Sequence, residues 1–547
     1  MILDATHSVD LCVVGAGPAG IIVALEHAAL CPEKSILLVD YGEERLLQGP
    51  NSLDDSIRNL NPVNHYDPYE CTNKGLGGTS ATWGGRCVMY DEADFIPRPA
   101  YRGHCTWDEE LLRELSPFAT RAAEYFECDG GGFSLDESSA PPIAEGFENG
   151  DFTDTNLERW SMPTRFGPRY REELKRFTNL SVAYGLEAGE FGPVGEDGTV
   201  KTLTARDRKT GQPVTIRSKS FVVAAGGQES TRLLLRNPGL FARRGGVPDS
   251  LGRFYQSHIS GKIATVHFSG DPRKTDYAVG RNANGTYYRR RLQPSKELIL
   301  RENLLNSAIW LDTPLYHDPA HGNGAMSFIY LAMITPYFGR RFAPPAIVKS
   351  VTRGKVNKVG AHLWNVLRDF PGSLTIPASI FFRRYCVRRK LPGIYIYNRQ
   401  NAHALHFHAE QVPDPDNRMV LAPDGETLEI HYQYNEADVE SVIRTHELLD
   451  RWLQKCGCGR LEYWWPNDKL PAEIRKMSRD GIHQCGTTRI AKDPASGVVD
   501  RDLRVHGTRN VYVCSSSAFP TSGQANPTFF LGMFAVRLAA MLSRQNA

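Results

Sequence analysis

No stretch of this chain reaches the roughly 18 consecutive apolar residues that a membrane-spanning helix needs. Charge of one sign is also lacking. The 64 Lys and Arg stand against 62 Asp and Glu, a formal net charge of +2, which argues against a nucleic-acid partner held by charge alone. The eleven cysteines form no set of spaced pairs. Cys456 and Cys458 are close, but no second pair or histidine follows at zinc spacing, and reduced thiols are expected. The opening MILDATHSVDLCVVGAG has neither the basic segment nor the separate apolar core of a secretory leader, so a cytoplasmic location is expected. No internal repeat or low-complexity tract is visible. What is left is a globular composition spread over 547 residues, too many for one compact core. Two domains are expected.

The N-terminal VDLCVVGAGPAGIIVALEHAALCPEKSILLVD is dense in signal. Val9–Val14 reads as a buried parallel strand. Gly15, Gly17 and Gly20 follow it as G-x-G-x-x-G, and Pro18 suits the first turn of the helix after them. The next strand ends in Asp40. In such a unit the first glycine makes the tight turn, the second lets the backbone approach a pyrophosphate, and the third lets helix and strand pack closely. A terminal acid can accept hydrogen bonds from both hydroxyls of an adenosine ribose and would repel a 2′-phosphate. Dinucleotide binding follows; NAD or FAD does not.

Three later stretches continue the pattern. TNKGLGGTSATWGGR, 72–86, is a glycine-dense loop fit to lie against a flat ring and phosphates. SFVVAAGGQESTRLLLRN, 220–237, is a strand, a glycine turn at Gly226 and a helix, as of a chain returning to a sheet it left. NVYVCSSSAFPTSGQANPTFFLGMFAVRLA, 510–539, sets small polar residues between a buried strand and a buried helix, where backbone N–H groups can face a ligand.

With these in order, and with HQCGTTRIAKDPASGVVDRDLRVHGTRN before the last strand, the sequence resembles the glucose–methanol–choline (GMC) family of FAD-dependent alcohol oxidoreductases. PTSGQANPT and GTTR are most like its sugar- and glycoside-oxidising members. The resemblance implies an α/β fold: a Rossmann-like FAD-binding domain interleaved with an antiparallel-sheet α+β substrate-binding domain. The FAD domain would take 1–95, 176–255 and 478–547, and the substrate domain 96–175 and 256–477. Gly78, Thr79, Ser80, Thr82 and Trp83 would join the fingerprint glycines, Asp40 and Gly226 at the cofactor. Ser515 and Ser516 would face its ribityl-phosphate arm. Pro527 and Thr528 would open a helix beside the isoalloxazine ring, with the positive helix end favouring charge on the reduced flavin.

The resemblance also implies a catalytic pair. His483 would take the hydroxyl proton, and Asn526 would hold the carbinol oxygen while hydride passes to flavin N5. Thr82 stands where some relatives carry a flavin-linking histidine, so non-covalent FAD is expected. The expected reaction is oxidation of a secondary hydroxyl on a sugar, glycoside or polyol-like compound, with a quinone, dye or protein acceptor preferred over oxygen. An oxygen-using oxidase is the alternative, and a flavin-bearing lyase a further one. No metal is expected.

Elsewhere, His506 reads as a turn residue and His258 as a neighbour of the pocket. His403, His406 and His408 read as a plain sheet face that no acid completes into a metal set. Residues 404–435 read as an antiparallel meander and 436–457 as a helix. The stretch 340–390 holds twelve Lys or Arg against the single Asp369, with aromatic residues between. It reads as a solvated helical excursion, with a membrane-surface or partner contact and an anionic-substrate funnel as alternatives.

Overall fold

In a computed structural model, which describes residues 6–44, 56–130, 132–335, 348, 351–352 and 356–545, the chain returns twice to one sheet. Thr6–Val14 pairs in parallel with Ile36–Asp40 on one side and Pro213–Val223 on the other. Leu180–Tyr184 extends the sheet beyond Ile36–Asp40. The long strand Pro213–Val223 has two further partners. Its first half pairs antiparallel with Thr202–Asp207, and Phe221–Val223 pairs in parallel with Val511–Val513. The apolar run Leu11–Val14 is buried on both faces, as a parallel strand under helices must be. Pro18–Leu30 and the C-terminal helix Pro527–Gln545 pack against each other over it.

A second sheet is antiparallel throughout: Ser307–Asp312, Ala402–Glu410, His258–Phe268 and Gly459–Tyr463, in that order. The helix Glu436–Lys455 covers it, burying Val439, Val442, Leu449 and Leu453 as the sequence periodicity predicts. Each sheet has its own apolar core. The fold is thus α/β, with a Rossmann-like parallel sheet and a separate antiparallel one.

One expectation is corrected. Residues 404–435 are not one meander. Ala402–Glu410 belongs to the large antiparallel sheet, whereas Arg418–Leu421 and Leu428–His431 form a hairpin that pairs with Ile57–Asn59. Alternation says that a segment is a strand and not which strand it pairs with. In the basic stretch, Val359–Arg368 and Gly372–Tyr385 are helices. Arg340, Arg341, Lys349, Arg353 and Lys355 lie outside the described residues.

Candidate active site

The strand ends and glycine loops meet at a cavity of about 630 Å³ between the two sheets. Gly15, Gly17, Asp40, Gly78, Thr79, Ser80, Thr82, Trp83, Gly226, Ser515, Ser516, Thr528, His483 and Asn526 all line it. Gly20 and Pro527 do not; they stand behind the lining.

The fingerprint glycines test what this cavity can hold. A Cβ on Gly20 would sit 1.9 Å from the Gly15 carbonyl oxygen, and one on Gly15 would sit 2.5 Å from that of Ala224. Gly15 also has φ +105°, a conformation open mainly to glycine. Those two glycines are required by the fold itself. Gly17 is different, because a Cβ there meets nothing within 4 Å. Its backbone faces open cavity at the start of a helix, where a pyrophosphate would lie. The residues fit a dinucleotide.

Asp40 lies at the same end. Its carboxylate accepts from the Ala16 N–H at 2.7 Å and the Gly42 N–H at 2.8 Å. Burial pushes its carboxyl up, and backbone N–H groups pull against that shift. The Gly75 N–H is a third backbone donor to the carboxylate, which leaves one of its lone pairs for a ribose hydroxyl. Thr82 Oγ1 accepts from Asn73 Nδ2 at 2.7 Å, and the Trp83 indole N–H donates to the Thr164 carbonyl at 2.9 Å. Ser516 Oγ donates to the Gln484 carbonyl at 2.7 Å, and Ser515 Oγ accepts from the Ser517 N–H at 3.3 Å.

At the other end His483 and Asn526, 43 positions apart, come into contact. Asn526 Nδ2 lies 2.6 Å from His483 Nε2. An amide N–H can only donate, so Nε2 carries the lone pair and Nδ1 the proton. Nδ1 then donates to Asp480 Oδ2 at 2.9 Å. Asp480 also accepts from the backbone N–H groups of His258, Gly481 and Ile482. Burial opposes its charge, but His483 and His258 outweigh it and hold the carboxyl well below the usual range. The arrangement fixes the tautomer a base needs.

The turn carrying Asn526 is interior, which explains its small polar residues. Gly523 N–H donates to Glu410 at 3.2 Å and Ser522 N–H to Gln256 at 3.1 Å. The Gln524 carbonyl accepts from His408 Nδ1 at 2.9 Å. Thr521 and Ser522 are fully buried. Bulky side chains would displace these partners.

His406 and His408 correct the reading of a plain sheet face. Alternation along Ala402–Glu410 turns both to the cavity, whereas His403 stacks on Tyr277 on the other side. His408 stacks on His258 at 4.0 Å, and its ring centre is 5.4 Å from that of His483. Burial pushes His408 well below the ordinary histidine range, with His258, His483 and Arg86 adding to the shift. An acid does join this group: ligand atoms of His258, His408, Asp480 and His483 lie within 4.8 Å of one another. Two of them are already hydrogen-bonded to each other. His258 does not itself line the cavity; it is buried behind it, against His408 and His483, and His506 bonds the Ala491 carbonyl outside the cavity lining.

Sequence reasoning missed Asp480 and Arg86. Asp480 sits three residues before the catalytic candidate, a spacing the motif gave no reason to single out. Arg86 is the last residue of the glycine loop. Its guanidinium reaches Glu158 at 3.4 Å and lies 4.6 Å over the Trp310 ring, at the cavity wall.

A parallel sheet with a glycine fingerprint and an antiparallel sheet thus meet at one cavity, which the histidine–asparagine pair lines. Residues 413–535 match the family model described as GMC oxidoreductase, a likeness confined to that segment. The chain is 27% identical over 152 residues to the fructose dehydrogenase large subunit of Gluconobacter japonicus, covering 26% of this chain and 25% of that one. It is 29% identical over 132 residues to paromamine 6′-oxidase of Streptomyces fradiae, 23% of each. The matched part is about a quarter of the length of these curated relatives. Over 97% of the chain the fold is similar to the crystal structure of pyridoxine 4-oxidase from Mesorbium loti, with TM-score 0.53 at 16% identity and 99% of that chain covered.

Proposed function

We propose that the protein is an FAD-dependent oxidoreductase that converts a hydroxyl group to a carbonyl, with His483 as the base and Asn526 as the group that holds the substrate oxygen. The observation that carries this reading is the contact of His483 with Asn526 in the same cavity as the fingerprint glycines. A substrate hydroxyl reaching Nε2 takes the place of the Asn526 amide there. Nε2 accepts the hydroxyl proton, and the displaced amide N–H donates to the carbinol oxygen. Asp480 offsets the positive charge gained by the imidazole. Bound FAD supplies the two-electron acceptor for the hydride that leaves the same carbon.

The preferred substrate class is a secondary alcohol of a sugar, glycoside or polyol-like compound. Support comes from the PTSGQANPT and GTTR motifs and from relatives named for fructose and paromamine. The test is anaerobic mixing of the holoprotein with a panel of sugars, glycosides and cyclitols. Loss of the oxidised flavin absorbance with at least one member is expected. A flavin that no alcohol bleaches overturns the reading and leaves a lyase on the same fold.

A further inference from the structure

Of the large hydrophobic residues exposed among the described residues, eleven of eighteen fall within 356–385. Two helices carry most of them, and both turn large apolar side chains outward, with Ile380 of the second packing inward. In Val359–Arg368 the buried residues are polar: His362, whose Nδ1 lies 3.0 Å from Ser327 Oγ, and Asn365, whose amide donates to the Pro319 carbonyl at 2.9 Å. On its outer face Leu363 is 50% exposed, Trp364 64% and Leu367 70%. In Gly372–Tyr385 the buried residue is Ser373, while Phe381 and Phe382 are 48% and 58% exposed, and Phe370 between the helices is 65% exposed. A helix that folds only for its own protein's core turns its apolar stripe inward. These two turn most of theirs out. Apolar patches of this kind on a water-facing surface mark contact sites.

The charge around the patch narrows the partner. From 356 to 390 the chain carries seven cations, Lys358, Arg368, Arg383, Arg384, Arg388, Arg389 and Lys390, against Asp369 alone. That acid is already engaged: it accepts from the Gly324 N–H at 2.7 Å and pairs with Arg368 and Arg399. Arg389 turns inward to the Glu127 and Trp160 carbonyls. Exposed Trp, Leu and Phe with the other Arg and Lys close by in sequence, on helices that are not long and apolar enough to span a bilayer, match an interfacial anchor. The rings enter the acyl boundary while the cations meet lipid phosphates. We infer that Val359–Arg368 and Gly372–Tyr385 form a docking face for an anionic membrane surface.

Co-sedimentation of the full-length protein with vesicles tests this. At about 0.1 M salt the protein should pellet with phosphatidylcholine vesicles containing about 30% phosphatidylglycerol and stay in solution with pure phosphatidylcholine. Raising the salt to about 0.5 M should release most of it. The triple variant W364S/L367S/F382S should lose binding with an unchanged thermal melt, because those side chains are largely exposed in the fold. R383Q and R388Q should each lower partitioning about 5-fold. Failure of the wild type to pellet with the anionic vesicles overturns the inference. So does binding that the triple serine variant retains. A wild-type dimer that the serine variant converts to monomer, with no vesicle binding, assigns the face to a second copy instead and also overturns it.

Discussion

At the scale of single residues the proposed base, His483, has its tautomer defined by the hydrogen bonds around it. Asp480 holds the proton on His483 Nδ1, which leaves Nε2 free to accept. Two substitutions separate removing the base from misdirecting it. His483→Ala should keep its FAD and lose anaerobic flavin reduction by roughly 10²–10⁴-fold, the usual worth of a positioned base. Asp480→Asn keeps the shape but can present an amide N–H to Nδ1, which moves the ring proton to Nε2. Reduction should then fall by about 10²-fold with FAD content unchanged. Near-normal reduction in either variant, followed by stopped-flow absorbance, would move the base elsewhere. Thr82 carries a separate expectation. A threonine hydroxyl engaged with Asn73 has no ring nitrogen to bond a flavin, so acid precipitation should release all the flavin into the supernatant. Flavin left on the precipitated chain would refute non-covalent binding.

At the scale of elements, the first strand–turn–helix unit makes a contrast that apoprotein can test. Gly20→Ala forces a methyl into the Gly15 carbonyl at 1.9 Å, and backbone cannot yield there without opening the strand–helix contact. It should lower stability by about 2 kcal/mol or more, in the range of core overpacking. Gly17→Ala meets open space in the protein alone. It should melt like wild type without cofactor and bind FAD at least about 10-fold more weakly, since the methyl would stand where the backbone must approach the pyrophosphate. Equal FAD affinity in Gly17→Ala would remove the pyrophosphate from that place. This unit was legible in the sequence because its logic is local: strand, glycines, helix and acid follow one another along one continuous stretch. His483 and Asn526 were legible through motif resemblance. The cluster around them was not. His258 and His408 come from two strands of one sheet, and only their antiparallel register brings the rings together; alternation along Ala402–Glu410 does not say which face meets the cavity. The same limit merged the hairpin 418–431 with a sheet it does not join. Arg86 went unread because its role depends on Glu158 and Trp310, which other segments supply.

At the scale of the whole molecule, acid should weaken the fold through histidines that it buries neutral. Burial pushes His403, His406 and His446 each down to about 4, whereas an unfolded histidine titrates near about 6.5. Between those values the unfolded chain binds the extra protons, so stability is full above about pH 6.5 and falls as pH drops toward about 4. His446, fully buried in Glu436–Lys455 with Nδ1 bonded to the Val442 carbonyl at 2.8 Å, isolates one share of this. His446→Gln should flatten the fall in melting temperature between about pH 6.5 and 4.5, by on the order of 2 kcal/mol at the acid end. An unchanged slope in calorimetry would take His446 out of the account.

The last expectation joins the two ends of the molecule, the cavity that would take electrons and the basic, apolar face of 356–390. A protein seated on a membrane by that face works where lipid-soluble quinones are concentrated, and a quinone can remove both electrons without making peroxide. Reoxidation of the substrate-reduced flavin by benzoquinone should therefore outrun reoxidation by air-saturated buffer, by about 10-fold or more at equal acceptor concentration, roughly 1.4 kcal/mol in barrier. Single mixing of the anaerobically reduced protein with each acceptor, read at the oxidised flavin band, measures both rates. The solution rates are set at the flavin and do not depend on the docking face, so W364S/L367S/F382S should show the same ratio. It should lose only the added rate seen when the quinone is supplied in anionic vesicles. Oxygen matching or beating benzoquinone would make the protein an oxidase, whatever the fate of the membrane contact.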